Sequence, residues 1–174
     1  MLDVSVAYNR YKFLGYEYLT WLWFVMEKDQ DKISALASEA VSLEMGNRIV
    51  LENKTTDAPE SITITGDEAG LEEGMLALRK GAVVTELNLL LKTGEQQWQF
   101  TLKGEGLHFA GFKTPPTGPV ESREDLEGAV LEKAYLLDRA IQCMDKLFKT
   151  FITLRVSEEW RRKVVPRIKQ WMRP

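Results

Sequence analysis

The sequence predicts a single α+β domain over residues 1–174, in which an antiparallel sheet of five or six strands packs with an aromatic N-terminal helix and a long C-terminal helix. Three observations support this fold class. Apolar residues recur at helical spacing near the N-terminus, alternate through the middle, and return to helical spacing over the last third. With 174 residues, of which 44% are hydrophobic and 28% charged, the chain is large enough to bury its own core.

The aromatic N-terminal helix is predicted from Phe13 to Lys28. One row of apolar side chains recurs there at intervals of three and four residues: Leu14, Tyr18, Trp21, Leu22 and Val25. A second row lies beside the first, so only a narrow polar strip around Glu17 and Thr20 interrupts the apolar surface. A helix that is apolar nearly all round belongs in a core or against a partner.

The first strands are predicted by alternation. Val41 to Met45 and Ile49 to Leu51 flank Gly46 and Asn47, a residue pair typical of turns, which predicts a hairpin. Ser61 to Thr65 alternates threonine and isoleucine, so we expect a third short strand there.

A short helix and three more strands follow. The apolar spacing between Asp67 and Lys80 predicts a helix that Gly81 closes as a left-handed cap. Beyond it, alternation predicts two strands joined by a turn at Gly94, and a last strand that ends before the prolines; these strands run from Val83 to Leu91, from Trp98 to Leu102 and around Leu107 and Phe109.

A long helix is predicted to begin after Ser122, a preferred N-cap residue, and to end near Val156. Its apolar residues alternate four- and three-residue steps: Val130, Ala134, Leu137, Ile141, Met144, Phe148 and Phe151. Such a helix is roughly 50 Å long at 1.5 Å per residue, so we expect it to pack against the aromatic helix over much of its length. The same stripe could instead form the interface of a homodimer, through the helix from Val130 to Phe151.

The last segment begins a new helical pattern at Ser157, with Pro166 inside it. Because proline in a helix interior costs about 3 kcal/mol, two short pieces or a bend are predicted there.

Several classes of protein are disfavoured by composition. Cys143 is the single cysteine, so no intrachain disulfide forms, and its apolar helical setting is typical of an inert buried thiol. The apolar run from Leu19 to Met26 is too short to cross a bilayer, and the first eleven residues lack the character of a signal peptide. We therefore expect a cytoplasmic protein without a metal or cofactor.

No residue pattern predicts an active site. His108 has no histidine or cysteine near it in sequence with which to bind a metal, Glu72 and Glu73 diverge by about 100° on a helix, and Asp29 and Asp31 lack the glycine and glutamate of a calcium loop. Solvated surface is the favoured interpretation for these side chains.

Glu17 admits two interpretations. Its neighbours Tyr16 and Tyr18 suggest a buried carboxyl with chemical use, whereas its place beside Thr20 suggests the solvent strip, which we favour. An enzyme would require Glu17, His108 or the carboxylate pairs to converge in one cleft.

Aromatic residues are concentrated near the N-terminus. Eight fall within 17 residues: Tyr8, Tyr11, Phe13, Tyr16, Tyr18, Trp21, Trp23 and Phe24. If exposed, they would stack on bases or form an interface; if buried, they fill the core, which we favour for the helix. Tyr8 and Tyr11 lie outside the helical pattern, so we expect them to be accessible.

The C-terminal segment is basic although the whole chain has a net charge of −3. Six cations are interleaved with two tryptophans and have the composition of a patch that contacts nucleic-acid backbone: Arg161, Arg162, Lys163, Arg167, Lys169 and Arg173. An amphipathic helix with a solvated basic face explains the same residues equally well, and a membrane-surface role is a weaker third option.

The segment from Phe13 to Phe24, FLGYEYLTWLWF, resembles a signature of divergent bacterial recombination-associated proteins of the RdgC family. The regions from Met45 to Glu52 and from Gly81 to Lys103 resemble that family in order and pattern. The resemblance implies a non-enzymatic, nucleoid-associated protein that binds DNA without strong sequence preference, often as a dimer around the duplex. This chain is much shorter than the better-known members of that family. It departs in this respect from a dimer that closes as a ring around the duplex.

Two hypotheses follow. In the first, the protein takes part in recombination or replication and its six C-terminal cations contact DNA phosphates. In the second, it is a protein-interaction or assembly subunit that uses the heptad helix and the aromatic helix as an oligomer interface.

Overall fold

The computed structural model describes residues 4–37, 40–53 and 60–173. The helices are α1 (Val4–Tyr11), α2 (Phe13–Lys28), α3 (Gln30–Ala37), α4 (Glu68–Arg79), α5 (Arg123–Arg155) and α6 (Val165–Trp171), with a π-helical turn at Trp160–Val164 before α6. The strands are β1 (Ser42–Asn53), β2 (Glu60–Ile64), β3 (Val83–Thr93), β4 (Gln96–Lys103) and β5 (His108–Lys113). The predicted α+β class is confirmed.

The strands form one antiparallel sheet in the order β2-β1-β3-β4-β5. The predicted hairpin joins β3 to β4 and places Leu89 opposite Phe100 and Leu91 opposite Trp98. Gly94 has a φ of +56° in the turn, a backbone conformation that glycine adopts without strain.

The hairpin predicted at Gly46 and Asn47 is wrong, because β1 continues through both residues. The favoured two-residue turn has positive φ at both central positions, and neither residue has a positive φ. Between Met45 and Ile49, four steps along β1 match two along β3, so the additional residues form a bulge. The strand that returns beside β1 is β2, which confirms the predicted third strand.

One face of the sheet forms the core with α2. Leu87, Leu89 and Leu91 alternate onto this face and are at most 2% exposed. Helix α2 packs across β3 and β1, and its Trp23 is fully buried among them. The apolar circumference of this helix is therefore used inside the domain.

The opposite face of the sheet is polar. Glu86 of β3 pairs with Lys103 of β4 at 3.1 Å and with Arg48 of β1 at 3.6 Å. Lys92 pairs with Glu44 across β3 and β1 at 2.6 Å. This ladder of cross-strand ion pairs marks the solvent side of the sheet.

Helix α4 forms as predicted between two caps. The Asp67 side chain accepts the Gly70 N–H at 2.8 Å, and Gly81 closes the helix with a φ of +92°. Gly74 faces the core: a β-carbon there would lie 2.5 Å from Ile64 Cδ1 and 2.8 Å from Trp23 Cη2. The glycine permits close packing of α4 on α2 and β2.

Helix α5 begins with a capping box, in which Ser122 and Asp125 exchange side-chain and backbone hydrogen bonds. Its buried face matches the predicted heptad stripe only in part: Met144 and Phe151 of the stripe are buried, together with Leu136, Ala140, Cys143 and Leu147 beside it. Val130 and Ile141 of the predicted stripe are 59% and 43% exposed. One reason is that Trp98 of β4 donates to the Leu136 carbonyl at 2.9 Å, which turns that side of α5 toward the sheet.

The expected packing of α5 on α2 is confirmed only near the C-terminal end of α5. There Tyr18 contacts Phe148 and Phe151 with ring centroids 5.1 and 5.3 Å apart, and Trp21 contacts Phe151 at 5.6 Å. Every residue from Glu121 to Tyr135 except Ala129 is exposed. The first third of α5 therefore lacks the helical partner that was predicted along much of its length.

Candidate nucleic-acid interface

The C-terminal segment is fixed to the helical layer through α6. The Trp171 indole donates to Glu27 Oε2 at 2.9 Å, while Trp23 donates to the other oxygen of the same carboxylate at 2.5 Å. The Arg79 guanidinium donates to the carbonyl of Met172. Because α2 and α4 both hold α6, the basic residues are displayed on a fixed support.

The predicted interruption near Pro166 is a π-helical turn. In this turn the Val165 N–H donates to the carbonyl of Trp160, five residues earlier. Pro166 follows at the start of α6, where the missing proline N–H is least costly. The predicted two short pieces or bend are therefore not a break at Pro166, because residues 158–171 stay helical and only the π-helical turn interrupts the α-helical pattern.

All six predicted cations are exposed. Arg162 pairs with Glu158 at 3.2 Å and Lys163 with Glu159 at 3.1 Å, each one turn earlier. The third paired cation, Arg167, forms a salt bridge to a distant residue. Half of the predicted contact residues are therefore partly neutralised within the protein.

Arg167 and Lys169 lie on different sides of α6. The Arg167 guanidinium lies 3.0 Å from Asp29 and 5.3 Å from the centre of the Phe24 ring. Lys169 instead lines a groove with Phe13 and Thr20. The structure does not bring the six cations together as one continuous stripe.

Arg161, Lys169 and Arg173 form no salt bridge with any residue that the structure describes. Each is exposed and can meet a phosphate, although Arg173 lines a cleft together with Glu27, Glu72 and Glu73. These three residues are the strongest part of the candidate interface.

Asp29 is the acidic anchor of Arg167. Hydrogen bonding from Arg167 is the main cause that lowers the pKa of the Asp29 carboxyl, and Lys32, 3.3 Å away, lowers it further. The carboxylate thus remains charged at neutral pH and holds α6 against the end of α2. Its partner could not be read from the sequence, because Arg167 lies 138 residues away.

Glu17 is also paired. It accepts two N–H groups of Arg155, at 2.5 Å and 3.4 Å, and both side chains are partly buried. Thr20 donates to the Tyr16 carbonyl at 3.0 Å, so the predicted polar strip is satisfied by the protein itself. Sequence reasoning missed this pair, and the only local signal was a carboxylate inside an otherwise apolar helix.

The other candidate catalytic residues are scattered. His108 is exposed at the start of β5, with Nδ1 3.1 Å from the Glu105 carbonyl, in a polar cleft shared with Glu52 and Glu86. Glu72 and Glu73 are exposed on α4 and line a different cleft from the one that holds His108. Within the described ranges, no group of three acidic, histidine or cysteine side chains is arranged to hold a metal.

The aromatic cluster is mostly core. Tyr16, Tyr18, Trp21, Trp23 and Phe24 are at most 6% exposed, as favoured from the sequence. Tyr11 and Phe13 are 50% and 42% exposed, whereas the side chain of Tyr8 lies outside the described residues. Stacking on bases is therefore restricted to the edge of the cluster.

Cys143 is 2% exposed, which confirms the expected buried thiol. None of the helices in the described part of the chain has the length and apolar character needed to span a membrane.

Comparisons with protein families, curated proteins and solved structures found no match to this chain.

Proposed function

We propose that the protein is a non-enzymatic DNA-associated factor of recombination or replication that contacts the nucleic-acid backbone without strong sequence preference. The observation that carries this proposal is a set of exposed C-terminal cations that pair with no acidic residue in the described part of the chain: Arg161, Lys169 and Arg173. The resemblance of the aromatic segment to the RdgC family supports the same function. An overall negative charge is compatible with it, because phosphate contacts require only a local basic surface.

The paired cations have a secondary role in this proposal. Arg162, Lys163 and Arg167 can each contact a phosphate only by sharing or exchanging a carboxylate partner, which weakens the gain in Coulomb energy. Arg161, Lys169 and Arg173 have no such partner among the described residues, so a phosphate contact there displaces no carboxylate from that set. We therefore expect them to account for most of the salt dependence of binding.

The test is a fluorescence-anisotropy titration of duplex and single-stranded DNA with the purified chain across a salt series. Each neutralised phosphate contributes a slope of about −0.9 to the plot of log K against log salt concentration for duplex DNA. The variant Arg161→Gln/Lys169→Gln/Arg173→Gln is expected to reduce the slope by nearly three such contributions. Changing all six cations to glutamine should abolish binding.

A matched control removes three cations from the polar face of the sheet: Arg48→Gln/Lys92→Gln/Lys103→Gln. It changes net charge by the same amount but leaves the C-terminal surface intact, so binding should largely persist. Absence of binding at low salt, or an equal loss in both triple variants, would contradict the proposed interface.

A second candidate function is that of an assembly subunit, and the exposed first part of α5 favours it. Val130, Leu131 and Tyr135 are 59%, 72% and 64% exposed, and clustered surface apolar residues mark interfaces. The oligomer interface predicted from the sequence consisted of the aromatic helix and the heptad helix. Because the aromatic helix is buried within the domain, only α5 can contribute to such an interface. We infer a homodimer in which this part of α5 pairs with the same segment of a second copy.

Light scattering on the wild type and on Val130→Glu tests the homodimer. Because Val130 is exposed in the single chain, the substitution should leave the monomer folded while converting a dimer to a monomer. A charged residue at Phe148 would not discriminate, since it also disrupts the core. A wild type that is monomeric at all concentrations would exclude the assembly.

A further inference from the structure

A groove of about 380 Å³ lies between α2, the start of β3, the π-helical turn and α6. Apolar side chains form most of its wall: Phe13, Val83, Trp160, Val165, Ile168 and Met172. Because an apolar cavity of about 150 Å³ accommodates benzene, this groove has room for a flat ring.

Phe13 is the aromatic side chain that the groove presents to solvent. It is the first residue of α2 and is 42% exposed, whereas Tyr16 and Trp160 of the same wall are each 6% exposed. An exposed aromatic face can stack on a nucleic-acid base, and such stacking tolerates any sequence because every base has a π face.

Positive charge reaches the groove from both ends of the chain. Lys169 lines the groove, is exposed and forms no salt bridge with any residue in the described ranges. Arg10 and Lys12, which are also exposed, precede Phe13, and residues 4–13 include no acidic side chain. An exposed aromatic ring beside cations is the combination that binds single strands, whose bases are unpaired and whose backbone is a polyanion.

The polar groups of the wall are already engaged within the protein. The Glu17 carboxylate accepts two N–H groups of Arg155, which offsets its repulsion of a phosphate. The Thr20 hydroxyl donates to the Tyr16 carbonyl at 3.0 Å. The groove therefore suits the face of a base rather than its hydrogen-bonding edge, which agrees with binding that has little sequence preference.

We propose that the groove receives one unstacked base of single-stranded DNA on Phe13, while Lys169 contacts a neighbouring phosphate. This inference rests on the proposed function and deepens it by naming the form of DNA that gains from the groove. Bases inside an intact duplex are stacked and paired, so they reach such a site only at the cost of leaving the helix. The groove thus adds affinity for a single strand that a duplex does not gain.

The experiment measures the fluorescence anisotropy of three labelled DNAs of about 15 nucleotides per strand, mixed with the full chain at one low salt concentration. They are oligo(dT), the same sugar–phosphate backbone with tetrahydrofuran in place of every nucleoside, and a duplex. We expect oligo(dT) to bind about tenfold more tightly than the abasic strand, since one stacked base contributes about that factor.

Phe13→Ala should bind oligo(dT) about tenfold more weakly and leave the affinities for the abasic strand and the duplex unchanged. Tyr11→Ala is the matched control, because it removes a similarly exposed aromatic ring two residues away that lines a different cleft. It should bind all three DNAs as the wild type does. Lys169→Gln should weaken oligo(dT) and the abasic strand alike, because it removes a phosphate contact. Thermal unfolding verifies that each variant is folded.

Equal affinities of the wild type for oligo(dT) and the abasic strand would overturn the base site and leave the backbone contacts of the proposed function in place. The same conclusion follows if Phe13→Ala binds oligo(dT) as the wild type does. Failure of all three DNAs to bind would overturn the base site and the proposed function together. A dimer that Phe13→Ala converts to a monomer in light scattering would assign the groove to a second copy of the chain instead.

Discussion

The guanidinium of Arg155 donates two hydrogen bonds to the carboxylate of Glu17, at 2.5 Å and 3.4 Å, across 138 residues of sequence. This pair joins the N-terminal half of α2 to the last residue of α5, where the chain turns toward the basic segment. The same guanidinium lies 5.5 Å from the centre of the Trp160 ring. The contact therefore couples the aromatic helix to the support of the candidate interface.

Glu17→Gln is expected to lower the free energy of unfolding by about 1 kcal/mol, because a charge-assisted pair is lost from a partly shielded site. Urea denaturation measures the loss. Glu158→Gln is the control, since it breaks the highly exposed pair with Arg162 and should cost under about 0.5 kcal/mol. Equal losses in the two variants would show that the Glu17 pair has no special contribution.

Trp171→Phe should weaken the attachment of α6 to the domain while an aromatic ring still fills the position of the indole. Phenylalanine retains an aromatic contact with Trp23 and Phe24 but cannot donate to Glu27, so we expect a loss of about 1 kcal/mol and faster amide exchange in α6. Hydrogen exchange by mass spectrometry measures the effect. Trp160→Phe, at the contact with Phe151, controls for the loss of an indole; unchanged exchange in α6 of Trp171→Phe would contradict the role of the hydrogen bond.

Two glycine-to-alanine substitutions in helices should change the free energy of unfolding in opposite directions. Gly128→Ala should stabilise the protein by about 1 kcal/mol, because open space surrounds the site and alanine favours helix. Gly74→Ala should destabilise it by about 1–3 kcal/mol, because the new methyl group would meet Ile64 and the buried Trp23. Thermal unfolding of both variants is the measurement, and a stabilised Gly74→Ala would show that α4 can shift freely on the core.

Asp29 should contribute stability that depends on acidity. Its pKa in the folded protein lies below the ordinary value of 3.8, so the carboxylate stabilises the fold above that pH. This contribution is lost as the pH falls through the lower, folded-state pKa. The stability difference between the wild type and Asp29→Asn should therefore be constant near neutrality and shrink below about pH 4.

Chemical denaturation from pH 7 to pH 2 tests this expectation. Asp31→Asn makes the same change of charge at an exposed site two residues away and controls for the loss of one negative charge. If the stability of both variants ran parallel to that of the wild type from pH 7 to pH 2, the pairing of Asp29 with Arg167 would not contribute to folding stability.

Local chemistry in the sequence was sufficient to predict most elements. The helix from Phe13 to Lys28, the capped start after Ser122 and the glycine stop at Gly81 all appear at the predicted residues. Helices α1 and α3 were not predicted, since each has only eight residues and little apolar repetition. Short helices depend on packing, as Ile33 and Ala37 of α3 show by their complete burial.

The tertiary structure decided the direction of the chain at Gly46 and the buried face of α5. A glycine and an asparagine suit a turn or a bulge equally, and pairing with β3 over the whole of β1 selected the bulge. On α5, the predicted stripe is fully buried only at Met144 and Phe151, and Leu136 beside the stripe is buried where Trp98 donates to its carbonyl. Val130 and Ile141 of the same stripe were left at the surface.

The sequence by itself determined that this protein has helices at both ends, strands between them and a cluster of C-terminal cations, because backbone preference and charge are properties of neighbouring residues. Only the tertiary structure decided which charges are free. Asp29 and Glu17 take Arg167 and Arg155 as partners from the far end of the chain, while Arg161, Lys169 and Arg173 receive none among the described residues. Ion pairing depends on distance in space, which folding sets and sequence separation does not.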